Sequence, residues 1–274
     1  GLDQVRSFGV YAEDLKSLAT YLVDNGVTTV ALESTGSYWQ NLFAELLHAG
    51  LEVTLCNGRF TKHVSRKKTD VLDCQWIQKL HTLGLLPSCF LPDEQTEKLR
   101  TFCRHRSNMI DQKADTSHKM QKYLKLLNFR LDVVVRDITG LTGMKIIADI
   151  CEGNLDPKSL ARHRHYNCRK SEEEIAKALV SNQRADYLFG LRQEYDRYLF
   201  YKSKIAECDE MIKEMLESMI EAQEVPVDDL PSQKPYKRRN KNSIKGVDLN
   251  VLSYQFFGGV DLLAIPGVSF STIL

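Results

Sequence analysis

Two long stretches without proline constrain most strongly what this chain can fold into. Residues 93–130 contain neither proline nor glycine, and residues 185–221 contain Gly190 as their only glycine. Both carry apolar residues at helical spacing, so we predict one long helix, or two in line, in the first and a single helix in the second. At 1.5 Å per residue, the second would span roughly 55 Å.

The second stretch carries the pattern of a coiled-coil seam. Apolar residues recur at alternating spacings of three and four, and Lys202 and Asp209 interrupt them. The apolar members are Leu188, Leu191, Tyr195, Tyr198, Ile205, Ile212, Leu216 and Met219. Such a seam predicts pairing with a helix of another subunit, so we expect a homo-oligomer through residues 185–221. The alternative is a helix packed inside its own domain.

Ahead of Pro92 the pattern is that of an α/β domain. Strands are predicted at Val5–Val10, Val27–Leu32 and Leu51–Cys56. Helices are predicted at Ala12–Asn25, Tyr38–His48 and Thr69–Leu83. This alternation favours a sheet with helical crossovers.

Composition places three boundaries along the chain. We predict an α/β domain at 1–92, a helical and coiled-coil region at 93–222, a basic linker at 223–247 and the start of a further helical domain at 248–274. Within the helical region, Leu131–Gly153 is expected to form short helices broken at Gly140 and Gly143, and Ser171 to Glu174 form a capping box.

Charge is segregated although the net charge is +1. Residues 59–130 carry 15 basic and 7 acidic side chains, whereas residues 1–58 carry 2 and 7. A basic segment next to acidic ones indicates a polyanionic partner, and we predict nucleic-acid binding. The candidate contacts are Arg59, Lys62, Arg66, Lys67, Lys68, Arg100, Arg104, Arg106, Lys119 and Lys122.

Three acids are candidates for catalysis. Asp70 and Asp73 lie three residues apart at a predicted helix start, so they share a face with Ile77 and Leu80. Glu33 ends a buried strand, where ligands of open α/β sheets gather. Carboxylates brought together need a cation, and oxygen ligands select Mg²⁺ or Mn²⁺. The residues alone also fit a plain helix start, with Thr69 as cap and acids at its positive end.

Several segments together resemble one family. Ala31-Leu32-Glu33-Ser34-Thr35-Gly36-Ser37-Tyr38-Trp39, Asn57-Gly58-Arg59, Arg66 to Asp73 and Gly84-Leu85-Leu86 are similar, in order and spacing, to transposases of the insertion-sequence family one-ten. Asp137 to Gly143 and Ile265-Pro266-Gly267 are similar as well.

The resemblance implies an RNase H-like domain of the RuvC type with four acids in the order Asp, Glu, Asp, Asp. Glu33, Asp70 and Asp73 match the last three. It also implies a coiled-coil insertion, a carboxyl-terminal domain with a serine nucleophile, DNA and a structured guide RNA as partners, and Mg²⁺ or Mn²⁺ as cofactor. The first acid is expected before Val5 and the serine beyond Leu274, so Ser269 and Ser271 are not assigned that role. We expect the chain to be a fragment that lacks both ends of the family pattern and is inactive alone.

The function expected is DNA strand cleavage and transfer. Two alternatives stay open: a junction-resolving nuclease that uses metal-activated water, and a non-catalytic nucleic-acid-binding module. Seven cysteines without a CxxC pair favour a reduced, intracellular protein, and no stretch is apolar enough for a membrane span. For a DNA transposase we expect a cytoplasmic location, associated with the nucleoid.

Overall fold

The computed structural model describes residues 6–61, 69–221, 242–245 and 248–268. The chain divides into two compact units, residues 1–92 and residues 93–274. We refer to them as the α/β unit and the helical unit.

The α/β unit is built around two parallel strands, β1 (Thr29–Glu33) and β2 (Glu52–Cys56). Thr29 lies opposite Glu52, and Glu33 lies opposite Cys56. Its helices are α1 (Ala12–Asp24), α2 (Trp39–His48), α3 (Gly58–Thr61) and α4 (Asp70–Thr82). Parallel strands require a crossover, and α2 supplies it. The alternation of helices and strands predicted from Ala12 onward is therefore confirmed.

The strand predicted at Val5–Val10 is wrong over its described part. Residues 6–9 have no regular structure, and Val10 lies in a bend with 80% of its surface exposed. A strand needs a partner for its backbone groups, and residues 6–10 pair with no strand among the described residues. β2 instead makes an isolated antiparallel bridge, between Cys56 and Ser88.

One face of the sheet forms the apolar core of the α/β unit. Ala19 of α1, Leu46 of α2 and Leu51 are buried, and alternate strand residues Val30 and Leu32 pack against them. Because side chains alternate along a strand, Thr29, Ala31 and Glu33 lie on the opposite face. That second face is the one available for a functional site.

The helical unit is dominated by α5 (Glu94–Leu126) and α10 (Ala185–Glu221). Between and after them lie α6 (Leu131–Val134), α7 (Leu141–Glu152), α8 (Pro157–Ala161), α9 (Glu172–Ala178) and α11 (Leu249–Phe256). The two long helices and the Ser171 capping box of α9 are confirmed. In the described parts of the chain, no helix combines the length and apolar character needed to cross a bilayer.

The break predicted at Gly143 is wrong, because α7 runs through it. A Cβ at Gly143 would lie 2.2 Å from the carbonyl oxygen of Ile138. This glycine therefore allows helix and chain to approach closely, which outweighs its low helix propensity.

The coiled-coil seam is covered by α5 of the same chain. Leu99 packs with Leu216, and Arg106 of α5 pairs with Asp209 of α10, so the two helices are antiparallel. The seam residues Leu191, Ile205, Ile212, Leu216 and Met219 are buried. The described seam residues thus pack inside their own chain, as the intramolecular alternative has it, and a homo-oligomer through residues 185–221 stays a prediction.

Arg106, one of the predicted nucleic-acid contacts, is instead engaged within the helical unit. Its guanidinium is 12% exposed and pairs with the Asp209 carboxylate, which is 4% exposed. A second guanidinium nitrogen donates to the Asn242 carbonyl oxygen at 2.7 Å. Asp209, which interrupts the seam, is thus the partner of Arg106, and this ion pair leaves little of the Arg106 guanidinium accessible to a phosphate.

We predict that Arg106 and Asp209 are energetically coupled, so that their substitutions do not change the free energy of unfolding additively. Arg106→Met leaves the Asp209 carboxylate buried without its partner, which should lower the free energy of unfolding by about 3–5 kcal/mol. Arg106→Met combined with Asp209→Leu should recover most of that loss. Urea unfolding followed by circular dichroism measures all three variants, with Asp209→Leu alone completing the cycle. Losses that simply add would show that the two side chains are not coupled.

Candidate active site

Helix α4 lies on the second face of the sheet and runs antiparallel to β1. His81, near the end of α4, has its Nε2 atom 3.0 Å from the hydroxyl oxygen of Thr29, at the start of β1. From Thr29 to Glu33 a strand rises about 13 Å, and from Asp73 to His81 a helix rises about 12 Å. The matched lengths bring Asp73 beside Glu33 at the carboxyl end of the strand.

A pocket of about 340 Å³ opens at this place. It is lined by Glu33, Ser34, Thr35, Asn57, Gly58, Arg59, Thr61, Asp73 and Ile77. The structure thus brings two of the three predicted acids to one pocket. The third, Asp70, is exposed at the first position of α4 and is not among the lining residues.

The geometry at the start of α4 explains why Asp73 lines the pocket and Asp70 does not. The Thr69 hydroxyl accepts a hydrogen bond from the backbone N–H of Leu72, so Thr69 is the helix cap that the sequence indicated. Asp73 is half-buried on the stripe that continues to Ile77 and Leu80, whereas Asp70 lies at the outer end of that stripe, in solvent. Positions three apart on a helix still have Cβ atoms about 5–6 Å apart.

Two hydroxyls hold the Glu33 carboxylate. The buried Thr61 donates to Oε2 at 2.6 Å, and Thr35 donates to Oε1 in a shorter contact. Hydrogen bonds to an ionised acceptor are stronger than neutral ones, so they limit the rotamers that the carboxylate can adopt. The end of the strand is thereby pre-organised.

Gly58 makes room for the same carboxylate. A Cβ built at Gly58 would lie 2.7 Å from Glu33 Oε1. The preceding Asn57 turns the chain into α3, since its side-chain oxygen accepts a hydrogen bond from the backbone N–H of Arg59 at 2.9 Å. Gly58 and Thr61 are not among the site residues predicted from the sequence. The Asn-Gly pair directly after a strand could have indicated Gly58.

The donor set of the pocket suits a hard cation. It offers carboxylate oxygens from Glu33 and Asp73, and Mg²⁺ is commonly held by one or two carboxylates with water and substrate completing its coordination. Within the described residues, no group of three or more His, Cys, Asp or Glu side chains is close enough to hold a metal. The pocket therefore fits an ion that shares its ligands with a substrate.

Burial and the nearby carboxylates raise the pKa values of two cysteine thiols in this region, Cys56 and Cys74. Burial raises the pKa of Cys56, and the charge of Glu33 raises it further. Burial likewise raises the pKa of Cys74, with added contributions from Asp70 and Asp73. Arg59 is the basic residue among the pocket's described lining residues.

The predicted nucleic-acid contacts fall into different environments. Lys62, Arg66, Lys67 and Lys68 lie outside the described residues. Arg100, Arg104 and Lys122 are exposed and, at about 100° per residue, share the outer face of α5. Lys119 is partly engaged, because its ammonium lies 2.9 Å from the Asp115 carboxylate.

Comparison with protein-family models finds a match over part of the chain. A transposase family model, that of the IS110 DEDD transposases, matches residues 4–129. No curated protein and no solved structure matches the chain. The matched residues contain β1, α4 and the pocket that they form.

We predict that Cys74 reports the charge of the acids beside it. Because Asp70 and Asp73 raise the pKa of the thiol, less of it is thiolate at pH 8, and Asp70→Asn should lower that pKa. Alkylation of Cys74 should then be faster by roughly two- to fivefold, the effect of one solvent-screened charge.

Peptide-level mass spectrometry after a timed iodoacetamide pulse measures the alkylation rate. Asp111→Asn, an exposed acid on α5, is the matched control. Equal rates in both variants would show that the acids at the start of α4 do not act on Cys74.

Proposed function

We propose that this chain is a member of the IS110 family of DEDD transposases, whose family model matches residues 4–129, and that its α/β unit is a metal-dependent catalytic domain acting on DNA phosphodiesters. The observation that carries the proposal is the pocket shared by Glu33 and Asp73. Packing alone does not account for two carboxylates placed together at the carboxyl end of a strand, because like charges repel. Thr61 and Gly58 position one of the two, that of Glu33.

We propose that Glu33 and Asp73 hold Mg²⁺ or Mn²⁺. Asp70 lies one helical turn from Asp73 and outside the pocket in this structure, and we propose that it turns toward the ion as a third ligand when metal and substrate bind. When bound, such an ion supplies charge stabilisation to the attacking and leaving oxygens of a phosphodiester. The family's four-acid pattern supports this ligand set, since Glu33, Asp70 and Asp73 match its last three members.

The residues around the acids have separate roles in the proposal. Thr35 and Thr61 keep the Glu33 carboxylate aimed at the pocket through their hydroxyl groups. Arg59, at the pocket wall, would bind a non-bridging phosphate oxygen and orient the scissile phosphate. Such positioning reduces the entropy cost of bringing phosphate and catalytic groups together.

The finer parts of the proposal rest on the resemblance. They are an RNase H-like arrangement of the α/β unit, strand transfer through a serine nucleophile, guidance by a structured RNA, and action in the cytoplasm at the nucleoid. Arg100, Arg104 and Lys122 on the outer face of α5 are proposed to contact nucleic-acid phosphates. Pairing of residues 185–221 with another subunit stays a prediction, and it would have to use a surface of α10 other than the seam that packs on α5.

Calorimetric titration with Mn²⁺ tests the proposal on the full chain. The wild type should bind the ion, and both Glu33→Gln and Asp73→Asn should bind it at least roughly tenfold more weakly, since even outer-shell changes cost 10–100-fold. Thr61→Val, which removes only the hydroxyl contact to Glu33, should show an intermediate loss. Asp111→Asn is the control for a lost surface carboxylate.

Two results would contradict it. Equal Mn²⁺ affinity in wild type and Asp73→Asn would remove Asp73 from the site. Absence of any binding by a folded wild type would leave the α/β unit as a non-catalytic module. The remaining rival is tested on a protein that also carries the serine expected beyond Leu274. Denaturing electrophoresis after incubation with DNA separates the two mechanisms, because a serine nucleophile gives a covalent protein–DNA adduct and a metal-activated water does not.

A further inference from the structure

The antiparallel pair α5–α10 contains one layer that no packing argument explains. On each helix, residues seven positions apart face the other helix. The Arg106–Asp209 ion pair sets the register, so that each such residue of α5 lies opposite one of α10, and we call each pair a layer. The layers are Leu99–Leu216, Arg106–Asp209, Lys113–Lys202, Met120–Tyr195 and Leu127–Leu188. Four combine apolar partners or opposite charges, whereas the third sets two lysines against each other.

A third lysine is brought to the same place by a separate segment. Ile244 is buried with Leu99 and Ile212, and the Asn242 carbonyl oxygen accepts a hydrogen bond from Arg106. These contacts fix residues 242–245 beside the two helices. Lys245 is thereby close enough for its charge to act on Lys113.

The cluster has an excess of positive charge. Among the described residues, the charges that act on Lys113 are those of Lys245, Arg106, Lys202 and one acid, Asp209, which is already paired with Arg106. In the described parts of the chain, none of the three lysines forms an ion pair with a carboxylate. Lys113 is half-buried, and both its burial and its basic neighbours lower its pKa. Because like charges repel, we expect this arrangement to destabilise the protein when no anion is bound.

We propose that Lys113, Lys202 and Lys245 form a binding site for a backbone phosphate of nucleic acid in the helical unit. Lysine binds phosphate as a point charge, and an anion held between the three ammonium groups would relieve their repulsion. The inference rests on the proposed nucleic-acid function. It is distinct from the outer-face contacts of Arg100, Arg104 and Lys122, because Lys113 lies on the side of α5 that faces α10. The site would read no sequence, since phosphate contacts position a nucleic acid without specifying it.

The test compares two double variants of the full chain that lose the same charge. Lys113→Gln with Lys202→Gln removes the layer, and Lys158→Gln with Lys177→Gln removes two exposed lysines elsewhere in the helical unit. Fluorescence anisotropy at several salt concentrations gives the affinity for a duplex DNA and, in a separate arm, for an RNA stem-loop. The slope of log affinity against log salt should fall by about 0.9 for each lysine that contacts a duplex phosphate.

A second readout distinguishes a binding site from a merely structural one. In the absence of nucleic acid, removing the Lys113–Lys202 repulsion should raise the melting temperature, while affinity falls roughly tenfold at moderate salt. The control pair should change neither the melting temperature nor the salt slope. The arm that loses affinity tells whether the phosphate belongs to DNA or to RNA.

The outcomes separate this inference from the proposed function. If the wild type binds nucleic acid but the Lys113/Lys202 variant keeps the affinity and slope of the control pair in both arms, the phosphate site is wrong and the proposed function stands. If the wild type binds neither nucleic acid, both are wrong.

Discussion

The contact between α4 and the second face of β1 is the interaction on which the candidate site depends. The strand pairs with β2 and places Glu33 at its carboxyl end, but a single carboxylate there is a weak ligand set. Only a helix that crosses antiparallel to the strand, held at its far end by His81 and Thr29, adds Asp73 at the same edge. The spacing of two elements, rather than any one motif, therefore creates the pocket.

The helical unit rests on a different constraint. Its two long helices are amphipathic, and each covers the apolar stripe of the other. The Arg106–Asp209 pair sets their register, because a shift by one heptad in either direction would set Arg106 against Leu216 or Lys202 and leave its guanidinium without a carboxylate. The same register that satisfies this pair sets Lys113 against Lys202, so structural specificity and the proposed phosphate site have one origin.

The local elements could be predicted from the sequence, because they depend on local signals. The period of α10, the Thr69 cap of α4 and the apolar run of β1 all indicate their structures directly. What could not be predicted is what covers each surface. A 3-4 repeat shows that a stripe is apolar, but not whether its partner is α5 or another subunit. Counting basic residues likewise cannot separate Arg106, which points into the helix pair, from Arg104, which is exposed. In the candidate site, Glu33 and Asp73 could be predicted because they lie at the end of a strand and the start of a helix. Thr61 and Gly58 could not, because their roles come from contacts with Glu33, which is distant in sequence.

The most direct test of this account is to locate a bound ion. Crystals of the full chain grown with Mn²⁺ give an anomalous difference map that is independent of any activity. The account predicts a peak in the pocket, within coordination distance of carboxylate oxygens of both Glu33 and Asp73, that disappears in Asp73→Asn. A Mn²⁺ peak elsewhere on the α/β unit, with the pocket empty, would contradict it.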